Sequence, residues 1–408
     1  MASLAPSASP AAPALASPQL RSVELFAGGG GMALGLHGAG FAHSLLVECD
    51  PKACDTLRHN ARSWNKPANP WTPWKEDAVV CQDVRSLNLE SPEWHSLDLL
   101  AGGPPCQPFS LGGVHAGMDD RRNMFPAALE IVRHCRPKLV FFENVAGLLR
   151  ASFAPYFNYV VMRLRDPSCV ATTDETWLSH AARLASRQTS TTKLGYHVTR
   201  QLINAADFGV PQRRKRVILM AVRSDLADGP LPEMEATHSE AALTYSQTVS
   251  GEYWERHGIA PPKHGPPIQG KTPNPPGEIS QRRPWQTIRD ALVGLPIPVD
   301  GVNHPHFKNH LGVPGARAYA GHTGSDVDRP SKTIKAGVHG VCGGEAMIRF
   351  ADGSLRYMTV RESARLQTFP DDYEFRGARS HAMRHIGNAV PVELAKAIGS
   401  HMRFHAGI

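Results

Sequence analysis

Short apolar runs alternate with amphipathic stretches along the first half of the chain. The stretches 51–60 and 124–135 carry apolar residues at helical spacing. The apolar runs have the length and composition of buried strands; they are SVELF (22–26), HSLLVE (43–48), LDLLAGG (97–103), PKLVFFEN (137–144) and RVILMAV (216–222). Apolar strands flanked by helices are typical of α/β domains with a largely parallel sheet. The pattern therefore predicts an α/β fold with a largely parallel sheet for this half of the chain.

The pattern changes after about residue 223. Ten prolines fall between Pro261 and Pro298, and little periodicity returns before Thr359. Such composition predicts irregular loops on a small scaffold, which commonly carry recognition surfaces. The segment 386–403 shows one helical pattern again, and 166–192 is interpreted as an insertion loop.

The composition is that of a globular chain with a basic balance. Its 408 residues are 41% hydrophobic, and the net charge of +7 with a pI near 9.1 favours a polyanionic partner. The seven cysteines form no CxxC pair, which argues against a disulfide framework or a zinc ribbon and favours a reducing, cytoplasmic setting. No apolar run reaches the length of a membrane span. Residues 1–19 lack the basic start of a secretion signal and are predicted to form a disordered tail.

A glycine-rich turn, FAGGGGMALG, follows the first predicted strand. Gly28, Gly30 and Ala33 satisfy the pattern G-x-G-x-x-A between a strand and a helix, where glycines let a ligand approach the backbone. Glu48 ends the second strand, 20 residues after Gly28, and a carboxylate there can bind the hydroxyls of a ribose. Dehydrogenases and enzymes that bind S-adenosylmethionine share this pattern. A glycine turn without any ligand is the alternative.

Two further loops follow predicted strands. Asp83 follows a third strand candidate, where it can accept a hydrogen bond from an adenine amino group or cap a helix. The loop GGPPCQPFS (102–110) holds Cys106 among prolines and glycines, a composition that makes a stiff loop and a poor helix or strand. Ligands of open α/β sheets lie outside the carboxyl ends of the strands, so Cys106 is predicted to face the same crevice as Glu48.

Charged residues flank the last two predicted strands of this half. Glu143 ends LVFFE, and a carboxylate after such an apolar strand is costly to bury without a partner, which favours a functional role. In QRRKR (212–216), Arg214 and Arg216 alternate and would point the same way on a strand, toward an anionic ligand. A solvated basic edge is the alternative.

Together these segments resemble those of the cytosine-C5 DNA methyltransferases. The matching segments follow the order of that family and span residues 22 to 391; they are FAGGGG, Glu48, the QDV segment, GGPPCQPFS, ENV, QRRKR, TVRESARLQTFPDD (359–372) and GNAVP (387–391). The segment RPSKTIKAG (329–337) also looks like the one that precedes the TVRE helix in these enzymes.

The resemblance implies a Rossmann-like, S-adenosylmethionine-dependent methyltransferase sheet with a second, smaller, irregular target-recognition domain. The catalytic and cofactor-binding domain would comprise 20–222 plus 380–408, and 223–379 would form the target-recognition domain. The residues implied to bind S-adenosylmethionine are Phe26, Ala27, Gly28, Gly30, Gly31, Glu48, Asp83, Pro104, Asn388 and Val390.

The resemblance also assigns catalytic roles. Carbon 5 of cytosine is a poor nucleophile, and addition of a thiolate to C6 converts the ring into an enamine whose C5 can attack a methyl group. Cys106 would supply that thiolate, and Glu143 would contact the N3 and amino edge of the base. Arg216 would orient the base oxygen, and Arg214 would support that region.

The expected substrate is duplex DNA, from which the target cytosine must be flipped out. The stretch 111–125 suits a mobile loop that closes over DNA, and a plain solvated loop is the alternative. The predicted DNA contacts are Ser110, Arg121, Arg122, Lys332 and Lys335, with an ordinary solvated surface as the alternative for the two lysines. A monomer without a metal, a membrane or an obligate protein partner is expected, and the resemblance leaves room for a cognate restriction endonuclease in the same system. The alternatives are an RNA cytosine-C5 methyltransferase, a catalytically silent DNA-binding relative and, from the glycine pattern alone, an NAD-dependent dehydrogenase.

Overall fold

The computed structural model describes residues 20–64, 73–105, 123–187, 195–262, 281–319, 323–336 and 346–408. The strands within these ranges are β1 Leu20–Leu25, β2 Phe41–Glu48, β3 Val79–Cys81, β4 Leu99–Gly102, β5 Leu139–Val145, β6 Tyr196–Asn204, β7 Lys215–Arg223, β8 His238–Ser239, β9 Arg283–Pro284, β10 Ser325–Asp326, β11 Met347–Arg349 and β12 Leu355–Tyr357. The helices are α1 Gly31–Gly38, α2 Pro51–Trp64, α3 Phe125–Cys135, α4 Ala154–Arg165, α5 Trp177–Arg187, α6 Glu240–Thr248, α7 Glu252–His257, α8 Ile288–Leu292, α9 Val360–Leu366, α10 Arg379–Asn388 and α11 Val392–Ala406.

A seven-stranded sheet in the order β3-β2-β1-β4-β5-β7-β6 organises the described part of the chain. Strands β1 to β5 run parallel, and β7 pairs antiparallel with both β5 and β6. The predicted α/β fold with a largely parallel sheet is confirmed. The carboxyl ends of the five parallel strands meet at one edge, where ligands of such sheets bind.

Helices cover both faces of the sheet, which explains why its central strands are apolar on both sides. On one face α3 and α4 pack over a core that includes Val23, Leu100 and Phe142. On the other face α1 and α11 bury Leu99 and Phe141 among their neighbours. The two helices approach so closely that a Cβ added to Gly35 would lie 2.6 Å from the Cβ of Ala395. The last helix therefore packs on the first.

Three parts of the chain differ from the sequence-based expectations. Strand β6 was not predicted, because it lies at the sheet edge and is not uniformly apolar; its residue Leu202 is half exposed. The insertion loop predicted for 166–192 instead contains α5, whose residues Trp177, His180 and Leu184 follow helical spacing, with His180 and Leu184 buried. The single helical pattern of 386–403 is two helices, since Pro391 cannot donate the backbone hydrogen bond that an unbroken helix needs.

The predicted target-recognition region contains small pieces of regular structure among irregular segments. Strands β10, β11 and β12 form a three-stranded sheet, and β8 pairs with β9. Met358, Phe369 and Tyr373, near the end of this region, share a core with Leu57 and Trp64 of α2. The division of the chain into 20–222 plus 380–408 and 223–379 stays a prediction.

Candidate active site

The glycine-rich turn closes the carboxyl end of β1 and begins α1. Phe26, Gly28 and Gly30 adopt positive φ angles of 59°, 52° and 81°, a conformation that glycine tolerates and that is uncommon for phenylalanine. A Cβ added to Gly31 would lie 2.3 Å from the carbonyl oxygen of Val390. Among the described residues, a Cβ added to Gly28 would meet only the Phe26 carbonyl oxygen, at 3.9 Å. The turn is therefore packed closely at α1, whereas the described part of the chain leaves open space in front of Gly28.

Glu48 fixes this turn from the end of β2. Its Oε2 accepts a hydrogen bond from the backbone N–H of Gly28 at 2.8 Å, and its Oε1 accepts from the N–H groups of Cys49 and Asp50, both at 2.8 Å. Ala27 is buried and donates its N–H to the carbonyl of Val47. The carboxylate and the turn thus form one backbone-linked unit at the ends of two neighbouring strands.

Asp83 lies near the same edge, two residues after β3. It caps a short 3₁₀ turn by accepting from the backbone N–H of Arg85 at 2.9 Å, and it pairs with the Arg85 guanidinium at 2.6 Å. Hydrogen bonds from Arg85 lower the pKa of Asp83. The capping role that the sequence left open is present, and a contact with a ligand stays a prediction.

The Pro-Pro-Cys loop leaves β4 beside Glu143. Pro104 is buried, and its carbonyl accepts from Asn144 Nδ2 at 2.8 Å. A Cβ added to Gly103 would lie 3.7 Å from Glu143 Oε2. The next described residue after Pro105 is Asn123. The N–H of Met124 donates a hydrogen bond to the Pro105 carbonyl at 3.3 Å. Both ends of the loop are therefore anchored next to the carboxylate, whereas Cys106, Ser110, Arg121 and Arg122 themselves lie outside the described residues.

Glu143 and Arg216 form an ion pair between β5 and β7. The distance from Arg216 Nε to Glu143 Oε1 is 2.7 Å, and the two side chains are 12% and 9% exposed. Oε1 is paired by charge with Arg216 but makes no hydrogen bond of good geometry with the described residues. This leaves a nearly buried carboxylate oxygen with hydrogen-bonding capacity to spare at the sheet edge.

Arg214 is fully buried just before β7. Its guanidinium donates to the carbonyls of Gly387 and Ala389, each at 3.0 Å, and to that of Ile334 at 3.3 Å. Burial lowers the pKa of this guanidinium, as does repulsion by Arg216. Arg214 and Arg216 therefore have different partners, since Arg216 pairs with Glu143 and the hydrogen bonds of Arg214 are with backbone carbonyls of the chain. A contact of both arginines with an anionic ligand stays a prediction. The place of Arg214 is that of a positioning residue that ties the GNAVP segment to β7.

The GNAVP segment lies at the end of α10. Asn388 is exposed, whereas the side chain of Val390 is buried in the core formed by α1 and α11. The Nζ of Lys332 donates a hydrogen bond to Thr323 Oγ1 at 3.3 Å. Lys335 is exposed, and its backbone lies close to Gly387. The contacts predicted for these four residues with a cofactor or DNA stay predictions.

One partly buried pair at this edge was not predicted from the sequence. His385 Nε2 lies 3.1 Å from Asp50 Oδ2, and the Arg384 guanidinium lies 2.6 Å from the same oxygen. Asp50 and His385 are 335 residues apart, so no local motif joins them. The only available sequence signal was the position of Asp50, two residues after Glu48.

Within the described ranges, no group of three or more histidine, cysteine, aspartate or glutamate side chains is arranged to hold a metal ion. The same part of the chain contains no helix with the length and apolar character of a bilayer span.

The fold and this edge define the class of protein: an α/β enzyme of the Rossmann-like methyltransferase type. A model of the C-5 cytosine-specific DNA methylase family matches residues 20–167 and 183–403, and the chain belongs to that family. It is a DNA cytosine-C5 methyltransferase, and the NAD-dependent dehydrogenase alternative is set aside.

Named relatives and a solved structure agree with this family. The chain is 31% identical over 386 residues to the Type II methyltransferase M.NgoMIV of Neisseria gonorrhoeae, covering 93% of this chain and 96% of the relative. It is 33% identical over 385 residues to the Type II methyltransferase M.Eco47II of Escherichia coli, covering 92% and 77% of the two chains. The fold is similar to that of the Dnmt2 methyltransferase of S. pombe, with a TM-score of 0.55, 18% identity and coverage of 94% and 98%.

Proposed function

We propose that this enzyme transfers a methyl group from S-adenosylmethionine to C5 of a cytosine flipped out of duplex DNA, through a covalent bond between Cys106 and C6. The observation that carries this proposal is the position of Glu143 and Arg216. Their ion pair lies beside the start of the Cys106 loop, at the sheet edge that also holds Glu48 and the glycine turn. A base and a methyl donor bound at this edge would be neighbours.

The donor side consists of the glycine turn and Glu48. The open space at Gly28 gives a ligand access to the backbone, and Glu48 keeps lone pairs beyond its three amide bonds that can accept from ribose hydroxyls. These residues fit S-adenosylmethionine, which supplies an electrophilic methyl group when bound. The backbone-linked arrangement of Glu48 would hold the ribose in one orientation.

The base side consists of Cys106, Glu143 and Arg216. The Cys106 thiolate attacks C6, while Glu143 donates a proton or hydrogen bond at N3 and contacts the amino group, which helps the ring to accept the nucleophile. Arg216 hydrogen-bonds the base oxygen and holds the Glu143 side chain in place. After C5 has gained the methyl group, a base removes the C5 proton, and the electron pair of that C–H bond forms the C5=C6 bond and expels the Cys106 thiolate. Any proton that N3 received from Glu143 returns to Glu143 at the same stage, which restores the neutral base.

Recognition of DNA would lie in 223–379 and in the Cys106 loop. Lys332 and Lys335 would contact phosphates near the GNAVP segment, and Ser110, Arg121 and Arg122 would contact DNA around the flipped base. The Type II relatives support a role in a modification system in which methylation protects host DNA from a cognate endonuclease. The family and its named relatives favour DNA over RNA as the substrate. Monomeric action in the cytoplasm belongs to the same proposal.

The test is to incubate the purified protein with unmethylated genomic DNA and S-adenosylmethionine and to map 5-methylcytosine by conversion sequencing. Methylation confined to one short motif is expected. The Cys106→Ala variant is the matched control, and it should bind S-adenosylmethionine normally but transfer no methyl group. Absence of methylation by the wild type, with S-adenosylmethionine binding retained, would overturn the proposal and redirect it to RNA or to a silent relative.

A further inference from the structure

Asp50 and His385 connect two walls of the edge that is proposed to bind S-adenosylmethionine. Asp50 lies two residues beyond β2, and its N–H is one of the donors to Glu48. His385 lies in the last turn of α10 and is 3% exposed. Its Nε2 lies 3.1 Å from Asp50 Oδ2. A partly buried hydrogen bond between them therefore joins the end of β2 to the end of α10.

This pair is continuous with the glycine turn on one side. Asp50 and Gly28 both donate to the Glu48 carboxylate, at 2.8 Å each. A Cβ added to Gly29 would lie 3.2 Å from the His385 Cβ, so the histidine packs directly against the turn. A displacement of His385 would therefore change its packing against Gly29. It would also move Asp50, whose N–H donates to Glu48.

On the other side the pair leads to the GNAVP segment. Asn388 is three residues after His385, one helical turn along α10. Arg214 holds the carbonyls of Gly387 and Ala389 from β7. The exposed Asn388 is thus held between two anchors, Arg214 toward the base side and His385 toward the donor side.

The chemistry of the pair favours one tautomer. Burial lowers the pKa of His385, which keeps the ring neutral. A neutral ring that faces a carboxylate places its proton on Nε2, because an unprotonated Nε2 would repel Oδ2. Nδ1 makes no hydrogen bond with the described residues, so the bond to Asp50 alone orients the ring. Arg384 shares Asp50 Oδ2 but its side chain is 44% exposed, which makes it the weaker anchor.

We propose that Asp50 and His385 are positioning residues that set the affinity for S-adenosylmethionine by locking α10 against the glycine turn. The pair does not touch the reacting atoms and acts through Glu48, the turn and Asn388. This inference rests on the proposed function, since it concerns the same donor site. It predicts that the loss of the pair weakens donor binding and leaves the chemical step nearly unchanged.

The experiment compares His385→Met with His385→Gln in the full chain. Methionine fills similar volume without a donor, whereas the glutamine amide N–H can still reach Asp50. Binding of S-adenosylmethionine, measured by calorimetry, should weaken about tenfold in the methionine variant, the equivalent of one hydrogen bond to a charged group. The KM for S-adenosylmethionine should rise by the same factor while kcat stays within about twofold. The glutamine variant should recover most of the affinity.

His401→Met is the matched control. His401 Nε2 also binds one oxygen, the Pro232 carbonyl at 2.9 Å, but on α11, so this variant measures the general cost of replacing such a histidine. In an Asp50→Ala background, His385→Met should cause no further loss of affinity if the two side chains act as one unit.

The outcomes separate the inference from the proposed function. Unchanged donor affinity in His385→Met overturns the inference alone. Equal losses in the methionine and glutamine variants, with a parallel fall in DNA affinity and thermal stability, would mean a general structural role and also overturn it. If the wild type itself binds no S-adenosylmethionine, the proposed function is overturned, and the inference that rests on it falls with it.

Discussion

Two carboxylates at the same sheet edge are held in opposite ways. Glu48, in what we call the donor half (Phe26–Gly31 with Glu48), accepts three backbone N–H groups within 2.8 Å. Glu143, in the base half (Gly103–Pro105 with Glu143 and Arg216), is held by the charge of Arg216, and its Oε1 makes no hydrogen bond of good geometry with the described residues. The donor half is held by backbone hydrogen bonds, whereas in the base half one carboxylate oxygen has no such bond within the described part of the chain.

This difference matches what each half is proposed to do. A donor bound in one orientation benefits from a rigid backbone cradle, because little has to be ordered when it binds. A buried carboxylate oxygen without an aligned partner is unfavourable in the free enzyme, and a hydrogen bond from the flipped base would relieve that cost. We therefore expect the hydrogen bonds of Glu143 to be satisfied only when a cytosine is bound in the base half.

The largest effect that tests this contrast is expected for Glu143→Gln. The amide oxygen can still face Arg216, so we expect the thermal unfolding midpoint to stay within about 3 °C of the wild type. Methyl transfer in a single turnover should slow by about 10²- to 10³-fold, because the amide cannot deliver a proton to N3. Binding of S-adenosylmethionine should not change. Wild-type rates in this variant would remove Glu143 from the chemistry.

Glu48→Gln should produce the opposite pattern. Both oxygens of Glu48 accept hydrogen bonds from backbone N–H groups, whereas glutamine has only one acceptor oxygen. The NH₂ group of the glutamine would therefore face backbone donors, either that of Gly28 or those of Cys49 and Asp50, and could not accept from them. We expect about a 30-fold loss of affinity for S-adenosylmethionine together with a lower unfolding midpoint, since hydrogen bonds to a charged group are lost. Calorimetry and thermal unfolding would measure both, and a loss of affinity without any loss of stability would contradict the idea of a backbone-linked cradle.

The two halves also differ in how far the sequence predicts them. The glycine turn, Glu48, Glu143 and the QRRKR segment are contiguous motifs or strand ends, so residue type and spacing suffice to place them at one edge. The sheet follows from the same apolar strands. Sequence reasoning works there because the chemistry and the local structure share the same few residues.

Contacts between distant parts of the chain escape such reasoning. The bond between Asp50 and His385 and the bonds from Arg214 to Gly387 and Ala389 join residues that are 335, 173 and 175 positions apart. In the sequence Arg214 and Arg216 look equivalent. In the fold Arg214 is buried in the interior, whereas Arg216 pairs with Glu143. Single residues can also decide an element, as Pro391 does between α10 and α11.

The smallest predicted effect concerns the support beneath the donor half. His43 in β2 is buried, with its Nε2 2.8 Å from the Ala33 carbonyl of α1 and its Nδ1 3.1 Å from Ser22 Oγ. Burial lowers the pKa of His43 to about 4. The unfolded chain therefore takes up a proton here before the folded one does as the pH falls below about 6.5. The stabilisation is complete above that pH and is lost progressively between about 6.5 and 4.

At pH 5.5 this difference amounts to about 1 kcal/mol of unfolding free energy for one histidine with that shift. Urea unfolding of the wild type and of His43→Gln at pH 7.5 and 5.5 measures it, because the glutamine variant lacks the titrating group but shares every other one. The wild type should lose about 1 kcal/mol more than the variant between the two pH values. An equal loss in both proteins would show that His43 is protonated in the folded state, and the donor half would then lack the neutral, buried support on which its rigidity depends.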